Sequence, residues 1–328
     1  MARLVAAFGT SHSTMLFSAL ENWQKLFDHV DCKAPINDFD GTPRSFADLL
    51  KTTPAGHAAK ISPQAICERY AVVAESMDRL ERDIAKARLD VLIIVGDDQR
   101  EIFKDDCRPA IGIYYGDTIR NAAAPGAPTD DWYLLDQRRR LEDKSDRFYP
   151  CHAPLASHLI QGLVHRNFDV TAVKALVNDQ FEGHAYSFIH RRYMNQRVIP
   201  VVPVFLNTYY PPNQPSPTRC FDLGAAIREL VKEFPEDLRV GILASGGLSH
   251  FLVNEDLDGK VIAGIRNRDF DALKALPARL LHTGSSEIRN WIAVAAAASD
   301  LALDWISYVP GYRSRAMTGV GLCFAHWQ

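Results

Sequence analysis

Two histidines in this chain close apolar runs in the same way. Residues 4–8 lead into Gly9-Thr10-Ser11-His12-Ser13, and residues 240–244 lead into Ser245-Gly246-Gly247-Leu248-Ser249-His250. A third, His184, follows the polar stretch Asn178-Asp179-Gln180-Phe181-Glu182-Gly183. Imidazole titrates near neutrality and ligates metals, so a histidine presented at a strand end can hold an ion or move a proton. Either of the first two alone reads as a structural residue; two Ser-His loops in matching settings point to one shared site. Glu287, in Thr283-Gly284-Ser285-Ser286-Glu287, falls in the first turn of a helix that Thr283, Ser285 or Ser286 can cap. It is either an oxygen ligand or a charge favoured by the helix dipole. Val95-Gly96-Asp97-Asp98-Gln99-Arg100 places polar residues directly after a buried run, at a ligand-binding edge or in a simple Asp-rich turn.

The elements that must position these residues alternate. Apolar runs at 4–8, 91–95, 111–115, 170–174, 198–205 and 240–244 read as strands, several apolar throughout as in sheets covered on both faces. Helical patterns lie at 63–88, 153–165, 223–234, 260–273 and 287–303. This alternation predicts an α/β fold, one domain over 1–328, with a mixed central sheet flanked by helices and the site at strand carboxyl ends. Residues 120–146, rich in Ala, Pro, Asp and Arg, and the proline-rich 207–215 read as long loops.

Composition narrows the function. The 328 residues are 47% hydrophobic and 23% charged, with net charge −3. Nothing there favours nucleic acid or an anionic membrane surface as partner. No apolar run approaches the ~20 residues of a membrane span, and the N-terminus has no signal-peptide pattern. The six cysteines show no CxxC spacing, which speaks against a thiolate zinc site and for reduced thiols in the cytoplasm. No Gly-rich phosphate loop, GxSxG elbow or HExxH helix occurs. Scattered His and Glu remain, and two histidines with one carboxylate around open positions is the arrangement of non-haem Fe(II) oxygenases.

Taken together, these motifs resemble the class III extradiol ring-cleavage dioxygenases, the family of the protocatechuate 4,5-dioxygenase catalytic subunit. The likeness spans nearly the whole chain. Gly96-Asp97-Asp98-Gln99-Arg100-Glu101, Ile113-Tyr114-Tyr115-Gly116-Asp117 and Asn207-Thr208-Tyr209-Tyr210-Pro211-Pro212-Asn213-Gln214 are closest to its 3-O-methylgallate branch. The resemblance implies Fe(II), with His12 and Glu287 as ligands. It places a second histidine where this chain has Gln99. Either Gln99 ligates the metal, or His57 supplies the imidazole, or the site is metal-poor.

By the same resemblance His250 is the acid–base residue and His184 a second polar group near the substrate. The substrates that the resemblance implies are O2 and a catechol-type aromatic acid such as 3-O-methylgallate or gallate, with Arg313 and Arg100 as candidates for its carboxylate. The assembly that the resemblance implies is a homo-oligomer, a homodimer. Two other readings stand beside this one: a zinc hydrolase on the same scaffold using His12 and Glu287, and a non-catalytic binding subunit marked by Gln99.

Overall fold

The computed structural model describes residues 1–23, 25–26, 31, 35–122, 129–141, 145–177 and 180–328. Asn178 and Asp179, ahead of His184, lie outside the described residues, as do 123–128 and 142–144. The strands are β1 (Arg3–Thr10), β2 (Ile36–Asn37), β3 (Pro43–Arg44), β4 (Val91–Asp97), β5 (Ile111–Tyr114), β6 (Thr118–Asn121), β7 (Arg147–Pro150), β8 (Thr171–Val173), β9 (Val201–Leu206), β10 (Arg239–Ser245), β11 (His250–Leu252), β12 (Leu303–Tyr312) and β13 (Thr318–Trp327). The helices are α1 (Thr14–Phe17), α2 (Phe46–Thr52), α3 (Pro63–Lys86), α4 (Trp132–Leu141), α5 (Ala153–His165), α6 (His184–Tyr193), α7 (Pro217–Glu233), α8 (Glu255–Asn267), α9 (Phe270–Lys274) and α10 (Ile288–Ala297).

Nine strands form one mixed sheet in the order β11-β13-β1-β10-β4-β9-β5-β8, with β12 also on β13. β1, β10, β4 and β9 run parallel, and β13 and β5 flank them antiparallel. Alternate strand residues face opposite sides. Ile93, Val95, Ile242 and Ala244 pack under α5, α7 and α10, while Leu92, Ile94, Phe8 and Leu243 pack under α3 and α6. The local signals are conventional. Ser62 caps α3 and Ser216 caps α7, each followed by proline in the first turn. Ile66, Val73, Leu80 and Ile84 then bury one stripe of α3.

Three regions differ from the sequence pattern. The 120–146 stretch is not a plain loop: its ends pair as β6 and β7, and α4 lies between. Leu134 and Leu135 are exposed there, which hides the helical period. The 260–273 pattern breaks into α8 and α9 at Arg268, which adopts a left-handed conformation. The β12–β13 hairpin carries Pro310, Gly311, Gly319 and Gly321, residues that weaken a strand signal, yet all ten residues of β13 are buried. Ser11, just past β1, is stitched to this hairpin: its N–H donates to the Cys323 carbonyl and its hydroxyl accepts from the Cys323 N–H, both 2.9 Å.

Candidate active site

The carboxyl ends of β1, β10 and β4 lie side by side, with Thr10 opposite Ser245 and Ala244 opposite Val95. His12 follows β1, Gly246 and Gly247 follow β10, and Asp97 is the last residue of β4. His184 opens α6, β11 begins with His250, and Glu287 ends a 3-10 turn over Thr283–Glu287 that feeds α10. That turn has no side-chain cap. Instead the Ser285 hydroxyl accepts from the His250 N–H and donates to the His250 carbonyl, both at 2.8 Å.

His12 is buried with its tautomer set by its neighbours. The Ser245 hydroxyl gives its one proton to the Ala185 carbonyl at 2.6 Å, so it must accept from His12 Nδ1–H at 2.9 Å. Nε2 is left with its lone pair and no hydrogen-bond partner among the described residues. Burial first, then the positive His184, pushes the His12 pKa down to about 3, so the ring is neutral. Nε2 stands 3.7 Å from Asp97 Oδ1 and 3.7 Å from Glu287 Oε1.

Glu287 is fixed by the Gly247 N–H, which donates to Oε2 at 2.6 Å. Gly246 sits at φ +148°, and a Cβ there would lie 2.9 Å from Glu287 Cβ. The turn behind β10 therefore requires glycine to let the carboxylate approach. Burial raises the Glu287 pKa. His250 keeps its Nδ1 2.9 Å from the Leu248 carbonyl, which accepts from Nδ1–H, and its Nε2 lies 3.8 Å from Glu287 Oε2. Burial lowers the His250 pKa. A neutral imidazole with a free Nε2 is equipped to accept a proton.

The end of β4 and the turn behind it contribute three consecutive polar side chains with different tasks. Asp98 is a turn organiser: its carboxylate accepts from the N–H groups of Arg100, Ile102 and Phe103. Asp97 is 1% exposed. Its Oδ1 has no hydrogen-bond partner among the described residues, and its Oδ2 accepts from Gln99 Nε2 at 3.2 Å. Burial and the nearby Glu287 push its pKa up to about 6. Gln99 faces the same cavity. Glu101, which the sequence does not single out, accepts from both the backbone N–H and Nδ1–H of His184 at 2.8 and 2.7 Å. Burial opposes charge on both partners, yet their mutual attraction outweighs it, raising His184 and lowering Glu101. The rings of His12 and His184 meet edge to face at 4.5 Å.

His12, Gln99, His184, His250, Glu287 and Arg313 all line one cavity of about 100 Å³. It shares Thr14, Phe17, Gln99 and His184 with a larger one of about 340 Å³ bounded by Asn121, Tyr133 and Gln137. Arg313 is buried, with Nε and Nη2 held by Asp31 at 2.8 and 2.6 Å. The structure does not bring in Arg100, which stacks on Tyr210 and pairs with Asp105 at the surface. Nor does it bring in His57, which sits 3.2 Å from the Ser314 carbonyl and against Tyr312.

One ligand atom from each of His12, Asp97 and His184 lies within 4.8 Å of the other two. Buried charges are normally paired or metal-bound. An orphaned imidazole nitrogen facing orphaned or half-used carboxylate oxygens fits a divalent cation of hard to intermediate character.

Comparison with known proteins identifies the family. The sequence profile described as the catalytic LigB subunit of aromatic ring-opening dioxygenase matches residues 64–307. Gln99, His184, His250 and Glu287 fall inside that match, and His12 precedes it. A gallate dioxygenase from Pseudomonas putida is 29% identical over 124 residues, 37% of this chain and 33% of that protein. A 2,3-dihydroxyphenylpropionate/2,3-dihydroxicinnamic acid 1,2-dioxygenase from Comamonas testosteroni is 31% identical over 96 residues, 29% of each chain. The matches span about a third of the length of these curated relatives. Dioxygenases of this family are metal-dependent, and the residues that meet at the strand ends are candidate metal ligands. Since the profile covers most of its length, this chain belongs to the family of catalytic subunits of aromatic ring-opening dioxygenases.

Proposed function

We propose that the protein is a non-haem Fe(II)-dependent extradiol dioxygenase that opens the ring of a catechol-type aromatic acid beside its two hydroxyls, adding both atoms of O2. The observation that carries this reading is the meeting of the buried side chains of His12, Glu287 and His250 around one cavity. The likeness to a gallate dioxygenase supports a trihydroxybenzoate-type substrate, gallate or its 3-O-methyl ether.

His12 and Glu287 would hold the metal, whose service is to bring the catechol oxygens and O2 into electronic contact. His250 accepts a phenolic proton at Nε2, with Nδ1–H anchored on the Leu248 carbonyl, and returns it to a leaving oxygen later in the cycle. His184, held cationic by Glu101, offers N–H to negative charge that develops on the substrate. The larger cavity beside Tyr133 and Gln137 accommodates the ring substituents. Arg313, on the cavity wall, faces the carboxylate of the substrate.

Oxygen uptake by anaerobically Fe(II)-loaded protein, given 3-O-methylgallate, gallate and protocatechuate in turn, tests this directly. Uptake matched one to one by substrate loss is the expected result, and the rates rank the substrates. Metal-loaded protein that consumes no oxygen with any of them would overturn these three substrates and direct the search to another phenol or to a hydrolase.

A further inference from the structure

The donor that β4 gives to the metal is open to a choice between two neighbours, Asp97 and Gln99. An amide oxygen is a neutral, weak ligand; a carboxylate is a strong one for hard divalent ions. The side chains are placed unequally. Among the described residues Asp97 Oδ1 has no hydrogen-bond partner; it is buried and lies 3.7 Å from the orphaned Nε2 of His12. Gln99 spends its amide N–H on the other oxygen of the same carboxylate, at 3.2 Å. His184 commits Nδ1 to Glu101, which leaves only Nε2 as an atom it can turn to the site.

We infer that Asp97, not Gln99, is the metal ligand supplied by β4, and that Gln99 is a positioning residue that orients the Asp97 carboxylate. This rests on the metal-dependent reading above. It makes the site richer in carboxylate than a two-histidine, one-glutamate set. Asp97 and Glu287 together balance the charge of a divalent ion, and the harder donors suit Fe(II) or Mn(II). It also explains why two buried carboxylates flank one neutral imidazole with no protein cation bonded to Asp97 among the described residues.

The test is metal binding by the full chain, independent of turnover. Apo protein is titrated with Mn(II) and followed by electron paramagnetic resonance. Wild type should bind one ion. Asp97→Asn should weaken binding at least about 100-fold, and Gln99→Ala by less than about tenfold, the range expected for an outer-shell partner. Cobalt gives a second readout. Asp97→Cys loaded with Co(II) should show a thiolate-to-cobalt charge-transfer band in the near ultraviolet, and Gln99→Cys should not.

The assignment is overturned if the band appears in Gln99→Cys alone, or if Asp97→Asn keeps wild-type affinity while Gln99→Ala loses it. Wild type that binds neither Mn(II) nor Co(II) overturns the metal-dependent reading beneath it as well, so the two failures are distinguishable. Should Asp97→Cys not fold, the near-isosteric Asp97→Asn, checked by its apo thermal transition, decides alone.

Discussion

Ser245 Oγ stands 2.9 Å from His12 Nδ1 and 2.6 Å from the Ala185 carbonyl, and its single proton can serve only the second. The hydroxyl thereby holds the His12 ring in the tautomer that bares Nε2. Ser245→Ala removes this control without removing a ligand. Metal affinity should fall about 10–100-fold with the fold intact, as measured by metal titration beside circular dichroism. Unchanged affinity would show that ring packing alone sets the tautomer.

His250 should carry the proton chemistry. His250→Asn is expected to keep metal stoichiometry and substrate affinity but lose about 10²–10⁴ in kcat. The direction of its pH dependence follows from burial, which lowers the His250 pKa below the ordinary histidine range. A base works when neutral, so kcat/KM should hold above pH ~6.5 and fall only as pH drops through the lowered value. Stopped-assay profiles of both proteins check this: the acid limb attributable to residue 250 should be absent from the variant.

Arg313 and Asp31 form a buried, two-pronged ion pair, and Thr318 adds a third bond to the same carboxylate at 2.7 Å. Asp31→Asn leaves the guanidinium without its counter-charge. Removing one partner of such a pair costs about 3–5 kcal/mol. Denaturant unfolding should show a lower midpoint at unchanged slope, and a loss below about 1 kcal/mol would mean that water takes the place of the lost charge.

Gly246→Ala tests the turn that brings Glu287 to the site. A side chain at φ +148° costs about 1–3 kcal/mol, and the new methyl presses on Glu287 Cβ. Lower thermal stability together with lower metal occupancy is expected. Destabilisation with full occupancy would show that Glu287 relaxes away from the added methyl at no cost to binding.

Much of this was readable from residue order. β1, β4 and β10 are uninterrupted apolar runs, so the polar residues behind them had to emerge at one sheet edge, and His12, His184, His250, Gln99 and Glu287 do line one cavity. What stayed hidden depends on direction or distance. In Asp97-Asp98-Gln99 nothing in the sequence distinguishes the side chain that faces His12 from the one that ties up a turn. Glu101 acquires its role only because α6 begins beside it. The counter-ion of Arg313 lies 282 residues earlier in the chain. The β12–β13 hairpin was masked by the glycines and proline that shape it.

The pairing of β1 with β13 also says something about timing. Residues 3–10 are synthesised well before residues 318–327, yet these two strands are neighbours. Until the later one emerges, β1 has a bare edge and Ser11 lacks both of its bonds to Cys323, next door to His12. The wall beside His12 is therefore complete only once β13 has paired with β1.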